Sequence, residues 1–106
     1  MHSLFEEAEA FGVNVLAADQ RAVSDLFAKH GMPDEPMGGF EYRVGDLGVP
    51  LLSGVLGYAE CRIVERLPGG DHTIVIGEAP NVAFDREGAE PLLFYRGGYR
   101  EISAEA

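Results

Sequence analysis

The stretch LLSGVLGYAECRIVERLPGGDHTIVIGEAPNVAF, Leu51–Phe84, decides the fold. From Leu51 to Arg66 the side chains alternate. Val55, Gly57, Ala59, Cys61 and Ile63 fall on one face and Tyr58, Glu60 and Arg62 on the other, the period of a half-buried strand. Pro68-Gly69-Gly70-Asp71 is a turn, because proline presets φ and glycine tolerates positive φ. His72–Glu78 returns as a second strand, is broken by Pro80 and resumes over Asn81–Phe84. The turn thus delivers Asp71 and His72 to the mouth of a strand.

Outward from this hairpin the pattern stays mainly β. Asp85–Glu90 turns into a strand over Leu92–Arg96, Gly97-Gly98 bends the chain, and Tyr99–Ile102 forms a last strand before a frayed tail, Ser103–Ala106. On the N-terminal side, Ser3 with Glu6 makes a capping box and predicts a short helix over Leu4–Ala10. Phe11–Leu16 alternates and reads as a strand. Asp19 is placed to cap a second helix running to about Lys29, with Ala22, Val23, Leu26 and Phe27 as its apolar stripe and Gly31 and Pro33 as its stop. Gly31–Pro50 has no sustained period and reads as a loop. The expectation is a mainly β domain with two short helices and about five strand segments, few to close a barrel.

Composition bounds the function. The chain has 106 residues, 46% hydrophobic and 25% charged, enough for one modest core. No apolar run reaches the length of a membrane span, and Glu6, Glu7 and Glu9 stand where a signal peptide needs apolar residues. A single cysteine, Cys61, excludes an internal disulfide and fits a cytoplasmic location. The net charge of −10 argues against nucleic acid or an anionic membrane as partner. Any anionic ligand must then be held by local cations, and Arg62, Arg66, Arg96 and Arg100 lie together in the C-terminal half.

The segment PLLFYRGGYR, Pro91–Arg100, with His72 before it, carries the candidate chemistry. Aromatic faces give stacking area and guanidinium groups give fixed donors for phosphate oxygens, as a flat, anionic cofactor requires. An ordinary strand surface, with His72 bonded to Asp71 to cap its turn, fits the same residues. Cys61 falls on the apolar face and reads as a buried structural thiol. His2, His30 and His72 share no ligand spacing, so no metal site is expected. Ser24 has no base partner and is no nucleophile. Arg96-Gly97-Gly98 is one short copy in an acidic chain and carries no nucleic-acid reading.

FGVNVLAADQ (Phe11–Gln20), SDLFA (Ser24–Ala28), GVPLLSGVLGYAECRI (Gly48–Ile63), GDHTIVIGEA (Gly70–Ala79) and PLLFYRGGYR resemble the flavin reductase-like FMN-binding family, in the family's order and spacing. The resemblance covers nearly the whole chain and implies one domain over 1–106, the C-terminal portion of a split β-barrel of Greek-key-like kind, with the usual N-terminal strands and Ser/Thr-rich flavin loop lacking. It implies FMN or FAD and NADH or NADPH as cofactors, hydride transfer to flavin as the activity, a homodimer, and a monooxygenase component that receives the reduced flavin. By resemblance His72 lies at the nicotinamide with Asp71 orienting it. Tyr95, Arg96, Tyr99 and Arg100 lie near the flavin, and Ser24 and Phe27 by its phosphate-bearing tail. The alternative is a flavin-binding or dimerisation module without reductase activity.

Overall fold

A computed structural model describes residues 8–30, 35–86 and 88–101. Its central feature is a long antiparallel hairpin, β4 (Gly57–Gly69) and β5 (His72–Ala83), with β1 (Ala10–Val15) along the other side of β4 in the order β1-β4-β5. Phe11 faces Cys61, Val13 faces Ala59 and Val15 faces Gly57. Two small hairpins complete the strands: β2 (Tyr42–Val44) with β3 (Pro50–Leu52), and β6 (Leu93–Tyr95) with β7 (Gly98–Arg100). Helix α1 (Arg21–His30) follows a 3-10 turn at Ala18–Gln20. Among the described residues the sheets stay open, and no helix is long and apolar enough to cross a membrane.

The alternation at Gly57, Ala59 and Cys61 is real, and it divides the sheet into two unlike faces. On one, Asn14, Tyr58, Glu60 and Asn81 meet the β2–β3 hairpin: Asn14 bonds the Leu52 amide and the Pro50 carbonyl, and Arg43 reaches the Tyr58 hydroxyl. Glu60 is only 3% exposed, and a buried carboxylate must find donors. It takes them from the Leu47 amide and the Asn81 side chain, both at 3.0 Å. Glycine at 45 makes room for this, since any Cβ there would collide with the carboxylate. The core of Val23, Leu52 and Val55, flanked by Leu16, Phe27, Met37 and Phe40, joins α1 to this layer. The opposite face buries Cys61 beside Phe11 but, among the described residues, is open toward its Gly57 end. Val13, Val15, Val82 and Phe84 line a shallow apolar groove of 150 Å³, with Phe84 72% exposed.

Several expectations need correction. Ala10 opens β1, so the first helix does not extend to it; the rest of that expected helix lies mostly outside the described residues. Asp19 does not cap α1 but pairs with Arg86 at 3.0 Å, and Gln20 instead bonds the Ala17 amide through its side chain. Gly31–Pro50 is not all loop, for it holds β2 and the start of β3. Leu51–Arg66 is two strands, parted by the turn at Ser53-Gly54. The β4–β5 turn itself is only Gly70-Asp71, with Gly70 at φ 69° in the first central position where a two-residue hairpin favours glycine. Pro80 does not break β5. It sits in a register shift between the pairs Glu60–Asn81 and Arg62–Glu78, a bulge on an edge strand, which is where a residue without an N–H is tolerated.

Candidate functional site

Helix α1 presents two working faces. Val23 and Phe27 enter the core, while Arg21, Ser24 and Asp25, spaced three and four apart, share the side that meets β7. There Tyr99 is fixed from three directions. Its hydroxyl donates to Asp25 Oδ1 at 2.7 Å and lies 3.0 Å from Ser24 Oγ. Its ring and that of Phe94 meet in a T-shaped contact, with centroids 5.4 Å apart at 77°, and the Arg21 guanidinium lies 4.4 Å from its centroid. Beside it opens a cleft of 380 Å³ lined by Ala18, Arg21, Leu92, Tyr99, Arg100 and Glu101. Backbone bonds from Ala18 to Glu90 and from Leu92 to Leu16 hold its walls together.

The structure gathers Ser24, Tyr99 and Arg100 of the expected site residues at or beside this cleft. It does not gather the others. Phe27 packs against the core and lines a separate apolar hollow of 260 Å³ with Asn14, Leu16 and Met37, to which Ser24 also contributes. Tyr95 and Arg96 sit on the exposed β6–β7 turn, the guanidinium 5.3 Å from the tyrosine ring. Arg96 at φ 52° and Gly97 at φ 78° make that a tight two-residue hairpin turn. His72 and Asp71 stand at the tip of the β4–β5 arm, 85% and 93% exposed, with Nε2 and Oδ1 3.3 Å apart. The cleft is at the Gly57 end of β4 and the tip is beyond Gly69. At about 3.3 Å per residue, the strand between them spans roughly 40 Å. Sequence reasoning missed Arg21 and Asp25. Their spacing around Ser24, three and four residues along one helix side, is the signal the sequence offers for them.

Asp19 lies in the 3-10 turn before α1. The Arg86 guanidinium hydrogen-bonds both its carboxylate oxygens and the Gly54 carbonyl, holding the Asp19 carboxyl below its ordinary pKa. This ties together the turn before α1, the β3–β4 turn and the segment after β5.

Residues 1–103 match the flavin reductase like domain. The chain is 36% identical over 104 residues to an NADH-dependent FMN reductase, SmoA, of Agrobacterium fabrum, covering 98% of this chain and 57% of that protein. It is 37% identical to HsaB of Mycobacterium tuberculosis, the reductase subunit of a flavin-dependent monooxygenase, covering 94% of this chain and 53% of that one. The chain therefore spans a little over half the length of these relatives. Among solved structures, the NADH:FAD oxidoreductase SgcE6 of Streptomyces globisporus superposes with a TM-score of 0.86 at 31% identity, over 97% of this chain and 62% of its own. The match over nearly every residue, in sequence and in fold, makes this chain a member of the flavin reductase like domain family.

Proposed function

We propose that this chain transfers hydride from NADH or NADPH to FMN or FAD and delivers the reduced flavin to a monooxygenase component. The match to NADH-dependent flavin reductases along almost the whole chain carries the reading. The cofactors supply the redox chemistry, leaving NAD(P)+ and reduced flavin. The protein has to hold two rings in contact and keep their tails in place. The residues fit that task. The cleft offers an aromatic wall, the small apolar surface of Ala18 and Leu92, and a few polar groups, the mixture a cofactor with a polar tail requires. Tyr99 and Arg100 belong to the flavin side of the site, and His72, steadied by Asp71, orients the nicotinamide.

A homodimer is part of the same proposal. Two stacked rings do not bridge roughly 40 Å of strand, so one chain's tip and its own cleft do not serve one reaction centre. The tip of one copy works at the cleft of the other, and the bare face around Val82 and Phe84 gives the pair apolar surface to bury. Cys61, buried and free, is consistent with work in a reducing cytoplasm. NADH oxidation followed with and without added FMN tests the activity. Oxidation that depends on FMN is expected; no oxidation above the uncatalysed rate would overturn the reading.

A further inference from the structure

We propose that Arg86, which does not line the cleft beside Tyr99, is a positioning residue for it, acting through Asp19 to fix the separation of the cleft's walls. The proposal rests on the flavin-side reading of that cleft and adds to it a residue from outside the site. A single nitrogen, Arg86 Nη1, donates to both Asp19 carboxylate oxygens, at 3.0 and 3.1 Å, and to the Gly54 carbonyl at 2.9 Å. The Arg86 side chain is 40% exposed and that of Asp19 64%, and an ion pair this open to water adds little to stability. What the convergent bonds supply is a fixed crossing point for three segments. The Gln20 side chain repeats the tie by donating to the Ser53 carbonyl at 2.9 Å, so the 3-10 turn is pinned to the β3–β4 turn at two places. Both walls of the cleft start from this crossing. Ala18, the neighbour of Asp19, stands on one wall, and Leu92, farther along the segment that holds Arg86, stands on the other. The segment has its own anchor, since the Arg86 amide donates to the Leu56 carbonyl at 3.2 Å and the Ala89 amide to the Arg86 carbonyl at 3.0 Å. Arg86 therefore supplies the side-chain bond between turn and segment. Without it the turn is free to swing away, the cleft widens, and a ring system between the walls loses contact.

Titration of the 106-residue chain with FMN, followed by flavin fluorescence, tests this. Arg86→Met should weaken FMN binding about three- to tenfold. Arg86→Lys should stay within about twofold of wild type, because one nitrogen makes all three contacts and an ammonium carries enough donors to replace it. Asp19→Ala should match Arg86→Met, and the double variant should be no weaker than either single one, since the same contact is broken only once. The readout is the dissociation constant fitted apart from the number of sites. A merely loosened fold lowers the number of sites and leaves the affinity of the folded molecules unchanged. Wild-type affinity in Arg86→Met, no rescue by Arg86→Lys, effects that add in the double variant, or no FMN binding by the wild-type chain overturns the proposal. Failure of the reductase reading would show separately, as FMN binding without FMN-dependent NADH oxidation.

Discussion

The two ends of the β4 strand are built by opposite rules. At the Gly57 end, Tyr99 is held by Asp25, Ser24, Phe94 and Arg21, and backbone bonds tie Ala18 to Glu90 and Leu92 to Leu16. At the Gly69 end, the exposed side chains of Asp71 in the turn and His72 at the start of β5 meet each other. A group fixed by many neighbours contributes to stability and binding together. A group fixed by none contributes to function only when something arrives to meet it. The difference separates a preformed pocket from a reaching arm, and substitutions at the two ends should therefore fail in different ways.

The largest effect belongs to the arm. His72→Ala should slow FMN-dependent NADH oxidation by about ten- to a hundredfold, the loss of about 1–3 kcal/mol of interaction made only when the rings stack. The melting temperature should not move, because the side chain is 85% exposed. A destabilised but fully active variant would mean that His72 only secures its turn. The body of the sheet should respond the other way. Glu60→Leu leaves the Leu47 amide and the Asn81 side chain without their acceptor and should lower stability by about 1–3 kcal/mol in denaturant unfolding.

Much of this division can be traced back to the residues. The β4–β5 hairpin is legible because its signals are local: alternation from Gly57 to Cys61 and a glycine at the turn. The β2–β3 hairpin is not, because its strands are three residues each and owe their place to distant partners. Asn14 reaches Leu52 across 38 positions and Glu60 reaches Leu47 across 13, and no local period records such bonds. Pro80 is a related case, since its tolerance depends on β5 being an edge, a property of the sheet and not of the segment. The site was legible as chemistry and not as geometry. His72 and Tyr99 lie close in sequence, yet a hairpin arm carries one of them away from the other.

Two smaller effects sharpen the contrast. Tyr99→Phe keeps the ring under Arg21 but loses both hydroxyl contacts. It should cost about 1 kcal/mol of stability and weaken FMN binding as well, a paired loss that His72→Ala should not show. The smallest concerns Asp19. Arg86 depresses its folded-state pKa, so the pair's contribution is fully present above the ordinary carboxylate pKa and fades as the pH falls through the lower folded value. Asp19→Asn should shift the melting temperature slightly at neutral pH and progressively less in acid. An equal shift at every pH would remove the ion pair from the account.

The central claim is that the arm of one copy serves the cleft of another, and mixing two crippled variants tests it most directly. His72→Ala keeps the cleft, and a variant carrying Arg21→Gln with Tyr99→Leu keeps the arm. Each alone should oxidise NADH poorly with FMN present. Mixed in equal amounts and allowed to exchange, random pairing gives mixed dimers with one intact composite site, and activity should rise to about a quarter of the wild-type level. A mixture no more active than the average of its two components would contradict the account and place both ends of the site within one chain.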